Sequence, residues 1–253
     1  MYNILHNSKS GMSASQSKMD IISNNIVNAN STGYKRLEMD FQELITETLY
    51  KDSYPTNSLK SLTGTGVRAS NEFRNFEQGS LRNTDIKSNL AIDGEGFFRI
   101  IRNDGSYAYT RNGEFNIDSL GKLVDDSGNI LEVNFENGYS YDNSNLTKES
   151  LSINNQGEVF SNNIKVGNIN LYTSTGENDF ISIGGSLYSP KDITNIRKSN
   201  NTNILQGYIE MSNVNMQKEM TDMIIIQRAF QFNSKGIQAA DDMWSMVNNL
   251  QSR

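Results

Sequence analysis

Two residue types that carry much of enzyme chemistry are scarce in this chain, which has no cysteine and a single histidine, His6. Without cysteine there is no disulfide, no thiolate nucleophile and no cysteine-based zinc site. One histidine near a chain terminus does not favour a Ser-His-Asp triad or a histidine metal cluster, and carboxylates alone make a weak metal site. The sequence therefore predicts no catalytic residues, no metal site and no cofactor.

Excess positive charge and long apolar runs are also missing. The formal net charge is -6 and the sequence pI is about 4.9, which disfavours the basic surface that binds nucleic-acid phosphates. No apolar run approaches the roughly 18 residues of a membrane-spanning helix, and the first fifteen residues lack the apolar stretch of a cleaved secretory signal. We therefore expect neither nucleic-acid binding nor direct membrane insertion.

Glycine-rich and acidic clusters are the remaining enzyme-like signals. The glycine clusters at 64–66 and 94–96 do not complete a nucleotide-binding motif, so tight backbone bends are expected there. The acidic pairs Asp93 with Glu95 and Glu43 with Glu47 could in principle serve a glycosidase. Because Glu43 and Glu47 are four residues apart on a predicted helix, they are more typical of a solvated face. A secreted carbohydrate-binding or hydrolytic β-domain protein is the alternative to a structural, non-enzymatic protein.

Methionine is confined to residues 1–39 and 211–246, whereas 16 of the 19 glycines and both prolines lie between residues 40 and 210. Methionine suits helix contacts, and glycine with Asn and Asp marks turns between short strands. This contrast predicts an α+β fold, with long terminal helices forming a coiled-coil assembly domain and an antiparallel β-rich domain between them. The expected segments are an N-terminal helix in 1–35, a connector in 36–64, the β-rich domain in 65–205 and a C-terminal helix in 206–253.

Apolar residues recur at intervals of seven in the N-terminal segment, which is the spacing of a coiled-coil seam. The polar run at 28–33 is expected to stop the helix, with Gly33 suited to a left-handed conformation. The predicted N-terminal seam consists of Leu5, Met12, Met19, Ile22 and Ile26.

The C-terminal segment carries a longer seam of the same kind. Asn215 is a suitable N-cap, and an unbroken helix from there to Leu250 would be on the order of 50 Å long. Gly236 within that helix costs about 1 kcal/mol relative to alanine. A helix that carries only one of these seams has little stability in water. We therefore expect the apolar residues of the two seams to be buried against each other and against other copies of the chain. The predicted C-terminal seam consists of Met216, Met223, Ile226, Phe230, Ile237, Ala240, Trp244 and Val247.

Turn signals divide the middle of the chain into short strands. Residues 103–106 are a predicted turn between strands at 97–102 and 107–111, and the Asn-Gly pair at 112–113 predicts a further hairpin to a strand at 115–117. The polar stretch at 50–61 is expected to be an irregular connector. Other predicted strands are 122–124, 130–133, 151–153 and 158–161.

Motifs in several parts of the chain resemble those of the rod and hook axial proteins of the bacterial flagellum. The matching segments lie at 24–35, 91–98, 109–113 and 212–235, in the order found in that family. The length and the segment 64–68 are most similar to distal rod members, and a proximal rod paralogue is the alternative. The residues that carry the terminal motifs are Asn24, Asn25, Asn28, Gly33, Asn213, Asn215, Gln227, Arg228 and Asn233.

This resemblance implies a structural subunit that polymerises into a tubular drive shaft, links motor to hook and transmits torque. The implied partners are further copies of the chain, proximal rod proteins, the hook protein, ring or bushing proteins and the flagellar type III export apparatus. Phe41 and Ile45 resemble the short element that export gates recognise. The implied location is the basal body outside the cytoplasmic membrane, in the periplasm or cell wall, and the ends are expected to order only on assembly.

Overall fold

The computed structural model describes residues 2–44, 46–48, 62–136, 138–141, 143, 146–176, 179–199 and 202–251. Contacts among them separate two units. A helical unit takes its residues from Met1–Val27, Leu37–Arg74 and Asn215–Arg253, and a β unit takes its residues from Asn28–Arg36 and Asn75–Val214. The α+β composition expected from the sequence is confirmed.

Two long helices dominate the helical unit, α1 at Tyr2–Val27 and α2 at Met216–Gln251. Helix α1 ends directly before the predicted polar stop, short of the expected boundary at residue 35, and Gly33 has the expected positive φ of +66°. Helix α2 begins after Asn215, whose Oδ1 accepts a hydrogen bond from the backbone N–H of Lys218 at 3.1 Å, as expected of an N-cap. Neither described helix combines the length and apolar character that crossing a bilayer requires.

An antiparallel ribbon completes the helical unit. Its outgoing strands are β1 (Leu37–Glu38), β2 (Phe41–Glu43) and β3 (Thr46–Thr48), and its returning strands are β4 (Leu62–Gly64), β5 (Val67–Ala69) and β6 (Phe73–Arg74). Strand β1 pairs with β6, β2 with β5 and β3 with β4. The helix predicted at Glu43 and Glu47 is therefore wrong, because pairing with the returning strands satisfies these backbone groups. The predicted irregular stretch at 50–61 lies outside the described residues.

The β unit contains the remaining strands of the described chain. In chain order they are β7 (Leu81–Asn83), β8 (Leu90–Asp93), β9 (Phe97–Ile101), β10 (Tyr107–Thr110), β11 (Asn116–Ile117), β12 (Leu123–Val124), β13 (Ile130–Leu131), β14 (Asn134–Phe135), β15 (Leu151–Ile153), β16 (Glu158–Ser161), β17 (Ile164–Asn168), β18 (Leu171–Ser174), β19 (Phe180–Gly184), β20 (Leu187–Pro190), β21 (Ile196–Lys198), β22 (Asn203–Gln206) and β23 (Tyr208–Glu210), with a short 3-10 helix at Ile193–Asn195.

All strand pairs described in this unit are antiparallel. The largest sheet follows the order β11-β12-β13-β9-β10-β20-β19, and β18 joins it by pairing with β9 and β21. A second sheet follows the order β14-β17-β16-β15, while β8 pairs with β22 and β7 with β23. The predicted hairpins β9–β10, β12–β13 and β15–β16 are confirmed.

The hairpin predicted at the Asn-Gly pair 112–113 is wrong. Strand β10 pairs with β9 and β20, whereas β11 pairs with β12. A Cβ atom built on Gly113 would lie 1.5 Å from the carbonyl oxygen of Leu90, and the N–H of Leu90 donates to the carbonyl of Gly113 at 2.9 Å. Glycine serves here for close backbone approach rather than for a hairpin turn.

Alternation along the strands builds hydrophobic clusters on both faces of the large sheet, because successive side chains point to opposite sides. Phe98, Ile100 and Ala108 belong to the main buried cluster, together with Leu131 and Leu171. Their strand neighbours form an aromatic cluster on the opposite face, in which Phe97, Tyr109 and Tyr188 are buried and Phe76, Tyr172, Phe180 and Ile196 pack against them.

Candidate functional site

The long helices of the helical unit run antiparallel in a defined register. A Cβ atom built on Gly11 would lie 2.7 Å from Nδ2 of Asn233, and one built on Gly236 would lie 2.8 Å from Oγ of Ser8. Near the end of α1, Asn25 Nδ2 donates to Glu219 Oε2 at 3.2 Å. Positions 8, 11 and 25 therefore face positions 236, 233 and 219, so each step forward along α1 matches an equal step backward along α2.

Small residues allow the helices to approach closely at this register. Ser8, Gly11 and Ser15 are buried on α1, and they recur at the three- and four-residue spacing of one helix face. On α2, Gly236 leaves room for the Ser8 hydroxyl. The sequence identified Gly236 as a weak point of the helix, and the structure supplies a packing reason for it.

Asn25 joins three parts of the helical unit. Its Oδ1 accepts a hydrogen bond from the N–H of Leu37 at 2.9 Å, and its Nδ2 donates to the carbonyl of Leu37 at 2.9 Å as well as to Glu219. Asn25 is 1% exposed and Glu219 is 0% exposed. Because buried polar groups are costly when they lose a partner, this contact ties α1, α2 and the start of the ribbon together.

Other polar side chains of α1 bind the backbone of the ribbon. Asn7 Nδ2 donates to the carbonyl of Gly64 at 3.1 Å, and Ser10 Oγ accepts from the N–H of Val67 at 3.3 Å. Lys18 Nζ donates to the carbonyl of Met39 at 2.6 Å. The ribbon is therefore attached to α1 at several points along the helix.

The predicted seams are largely covered within a single chain. In the N-terminal seam Ile22 is buried, and the residues Leu5, Met12, Met19 and Ile26 are half-buried. In the C-terminal seam Ala240 is buried, the residues Met223, Ile226, Phe230 and Ile237 are half-buried, and the residues Met216, Trp244 and Val247 are exposed. Contacts between copies through these rows therefore have less free apolar surface than the sequence suggested.

A different apolar row on α2 is open to solvent. Ile225, Phe232 and Met246 are 57%, 71% and 57% exposed, and the exposed Ala239 completes a spacing of seven. We call Ile225, Phe232, Ala239 and Met246 the outer row. It was missed in the sequence because the neighbouring row of Met216, Met223, Phe230, Ile237 and Trp244 has the same spacing and more large apolar residues. A search of every heptad phase would have found it.

The remaining terminal motif residues and the suggested export element differ in environment. Asn24, Gln227 and Arg228 are exposed, and Arg228 Nη1 donates to Gln231 Oε1 at 3.3 Å. Phe41 is exposed on β2. Ile45 lies outside the described residues.

In the β unit, the segments that carry the two terminal motifs lie side by side. The N–H of Gly33 donates to the carbonyl of Glu210 at 2.8 Å, and the N–H of Arg36 donates to Asn213 Oδ1 at 2.7 Å. Asn213 Nδ2 in turn donates to the carbonyl of Asn75 at 2.9 Å. Two motifs that are far apart in sequence thus form one clasp at 32–36 and 210–213.

A buried charge cluster lies within this clasp. Lys35 Nζ lies 2.6 Å from Glu210 Oε1, and Arg111 Nη1 lies 3.0 Å from Glu210 Oε2. Lys35 Nζ also donates to the carbonyl of Glu77 at 2.7 Å. Burial lowers the pKa of Lys35 to about 8, because desolvation and the nearby Arg111 outweigh the attraction of Glu210. Lys35, Arg111 and Glu210 are too distant in sequence for spacing to reveal the cluster, although each lies in or beside a motif segment.

This cluster is arranged for structure rather than for substrate chemistry. Lys35 and Glu210 are each about 1% exposed, so a substrate has no access to them. Within the described ranges, no group of three or more His, Cys, Asp and Glu side chains is placed to hold a metal ion. The exposed faces of α2 are among the features that are open to other molecules.

Three protein-family models match the chain at its start, middle and end. Residues 5–35 match the flagella basal body rod protein model. Residues 91–161 match the flagellar hook protein FlgE/F/G D1 domain, and residues 205–250 match the C-terminal model of the flagellar basal body rod FlgEFG proteins.

Similarity to curated proteins extends over nearly the whole chain. A flagellar basal-body rod protein FlgG from Borreliella burgdorferi is 35% identical, with 99% of each chain covered. The FlgG of Bacillus subtilis is 32% identical, also with 99% of each chain covered. The flagellar hook protein FlgE of Helicobacter pylori is 36% identical over a shorter region, covering 59% of this chain and 22% of its own length.

Proposed function

The chain belongs to the FlgG family of flagellar basal-body rod proteins, and from this membership we propose how its helical unit builds a rod. It is a structural subunit of the distal rod in the flagellar basal body, and its relatives are rod proteins rather than enzymes. We propose that copies of the chain polymerise through the exposed parts of α2.

One observation carries this proposal, namely the apolar surface that α1 leaves uncovered on α2. With Ser8 level with Gly236, the first described residue of α1 lies level with residue 242. Helix α2 continues to Gln251, so about 13 Å of it extends past the described start of α1 at ~1.5 Å per residue. Leu250 lies in this overhang and is exposed, and the outer-row residue Met246 is exposed as well.

The energy available from covering this surface is comparable to the cost of association. Full burial of one fully exposed large apolar side chain contributes about 1.5–3 kcal/mol. Because Phe232, Met246 and Leu250 are 71%, 57% and 77% exposed, covering all three would contribute about 3–6 kcal/mol. Association costs at least about 4 kcal/mol in lost translational and rotational freedom. A contact of this size is weak for a single pair of copies and becomes stable when each copy makes several contacts in a polymer.

Further features of the proposal follow from the family resemblance. We propose that the helical units of many copies form a coiled-coil inner wall of the rod, in the periplasm or cell wall. Proximal rod proteins, the hook protein and ring or bushing proteins would contact the assembly, and the flagellar type III apparatus would export the subunit.

Deletion of residues 243–253 tests the role of the overhang. The full chain is expected to form filaments that sediment and are visible by electron microscopy, and the deleted chain is expected to remain unpolymerised at the same concentration. The β hairpins should keep their amide protection, because they belong to the other unit.

Exposed isoleucines of the β unit provide a matched control. The variants Ile164→Ser and Ile193→Ser remove side chains that are 58% and 81% exposed, and both are expected to polymerise normally. Filaments formed by the deleted chain at the normal critical concentration would refute the proposal.

A further inference from the structure

The two ends of the helical unit differ in how the helices finish. Positions 8, 11 and 25 of α1 lie level with positions 236, 233 and 219 of α2, so Val27, the last residue of α1, lies level with residue 217. The helices are therefore almost flush at this end, which we call the base. At the other end, residues 243–251 of α2 form the overhang past the first described residue of α1.

Apolar side chains are exposed at the base. Val27 is 79% exposed, and Met216 and Met220 are 38% and 50% exposed. The half-buried Met223 follows on the same side of α2, because residues three and four apart lie on one helix face. We call Met216, Met220 and Met223 the base row, which is about 10 Å long at ~1.5 Å per residue.

The overhang carries an apolar row of the same length. Met243 is half-buried, Val247 and Leu250 are 46% and 77% exposed, and we call these three residues the overhang row. They also recur at the four- and three-residue spacing of one helix face. No residue from 243 to 251 is charged, so the overhang can approach an apolar surface without charge repulsion.

The two rows are separated by a constant interval along α2. Each member of the overhang row lies 27 residues after the corresponding member of the base row. At 3.6 residues per turn, 27 residues are about seven and a half turns, so the rows lie on opposite sides of α2. Two copies in the same orientation can therefore bring the overhang row of one against the base row of the other.

We propose that the overhang of one copy binds the base of a second copy, with their α2 helices parallel and shifted by 27 residues. This inference rests on the proposed function and names the surface that receives the overhang. The shift is about 40 Å at ~1.5 Å per residue. It sets Met243 against Met216, Val247 against Met220 and Leu250 against Met223.

The charges of α2 are compatible with this shift. Within the overlap, Lys218 lies level with Ser245, and Asp222 lies level with Asn249. The buried Glu219 lies level with Met246. The contact therefore brings no like charges of the two α2 helices together.

The contact can repeat because its two surfaces are different. Each copy uses its overhang on one neighbour and its base on another, and such heterologous association extends into a filament. Methionine suits the base row, because its flexible side chain adapts to a partner. Pairing of two overhangs would instead be self-complementary, would close at two copies and would leave the base row uncovered.

Crosslinking tests the shift, because the chain has no cysteine of its own. A chain carrying both Met220→Cys and Val247→Cys should form a ladder of covalent multimers when it is polymerised and oxidised. The two positions are about 40 Å apart along one helix, which is too far for an internal disulfide.

The matched control for crosslinking is Lys218→Cys with Ser245→Cys. These exposed positions are also 27 residues apart, but each lies two residues from its row and therefore on another side of the helix. The control chain should polymerise and give no ladder.

Charge substitution tests the pairing of Val247 with Met220. Met220→Glu and Val247→Lys should each raise the critical concentration for polymerisation by about fivefold or more, because each places an unpaired charge in the contact. The double variant can form an ion pair across the contact and should return to within about twofold of the wild-type value. Ile164→Glu, at a position of the β unit that is 58% exposed, is the control and should leave the critical concentration unchanged.

Several outcomes would overturn the inference and leave the proposed function intact. If the wild-type chain polymerises and the chain with Met220→Cys and Val247→Cys gives no ladder, the overhang binds another surface. Covalent dimers from Val247→Cys alone would show that two overhangs pair. A ladder from the control chain, or normal polymerisation of both single charge variants, would also contradict the shift. Failure of the wild-type chain to polymerise at all would instead contradict the proposed function.

Discussion

Replacing Asn25 with alanine measures how strongly the helical unit depends on one buried amide. The substitution removes two hydrogen bonds to the backbone of Leu37 and one to the carboxylate of Glu219. Each neutral hydrogen bond contributes about 1 kcal/mol and the bond to the charged group about 1.5–3 kcal/mol. We therefore expect Asn25→Ala to lower the free energy of unfolding by about 3–5 kcal/mol, a large part of the stability of an ordinary domain.

Urea denaturation followed by tryptophan fluorescence is a suitable assay for this loss. The single tryptophan of the chain, Trp244, lies in α2, so its signal reports the helical unit separately from the β unit. Asn24→Ala is the matched control, because Asn24 is exposed and adjacent to Asn25. This substitution should change the free energy of unfolding by no more than about 0.5 kcal/mol. In a double-mutant cycle with Glu219→Gln, the coupling energy should be about 1–2 kcal/mol.

Two results would show that Asn25 does not hold the helical unit together. If Asn25→Ala costs no more than Asn24→Ala, the buried hydrogen bonds contribute no net stability over their counterparts in water. If the cycle with Glu219→Gln gives no coupling, the loss arises from Leu37 alone and α2 is held by packing.

Two further predictions concern the clasp of the β unit. Burial lowers the pKa of Lys35 from 10.5 to about 8 in the folded chain. At pH values between these two, the unfolded chain binds more protons than the folded chain, so the free energy of unfolding should rise with pH. From pH 7 to pH 10 the wild-type chain should gain about 2–3 kcal/mol relative to Lys35→Met, as measured by urea denaturation; equal pH profiles would contradict the lowered pKa. Gly33→Ala should destabilise the β unit by about 3 kcal/mol or more, because its φ is +66° and the added Cβ would lie 2.3 Å from the backbone nitrogen of Asn112. A thermal-melting midpoint unchanged by Gly33→Ala would show that the backbone relaxes at little cost.

Local signals in the sequence predicted elements well where each element satisfies itself. Heptad spacing identified both helices, and the polar run after Val27 marked the end of α1. The turn at 103–106 predicted the β9–β10 hairpin, because Gly105 takes the positive φ that the turn needs. These features depend on neighbours in the chain, so a single sequence contains the information.

Predictions failed where a distant segment competed with the local preference. The helix expected at Glu43 and Glu47 became strand, because residues 62–74 supply paired backbone groups. The Asn-Gly pair at 112–113 did not turn into a hairpin, because the backbone of Leu90 pairs with Gly113. The clasp of Lys35 with Glu210 joins residues that no spacing rule connects.

The amino-acid sequence by itself determined the α+β composition, the extent of α2, the capping by Asn215 and the family of the chain, because repeated spacing and local motifs carry that information. Tertiary structure alone decided which face of α2 meets α1 and which remains open. Several phases of α2 have apolar heptad spacing, and the choice among them depends on close fits such as Ser8 with Gly236 and on the buried bond from Asn25 to Glu219. The outer row of Ile225, Phe232, Ala239 and Met246 is exposed for the same reason, since α1 has already covered the other side.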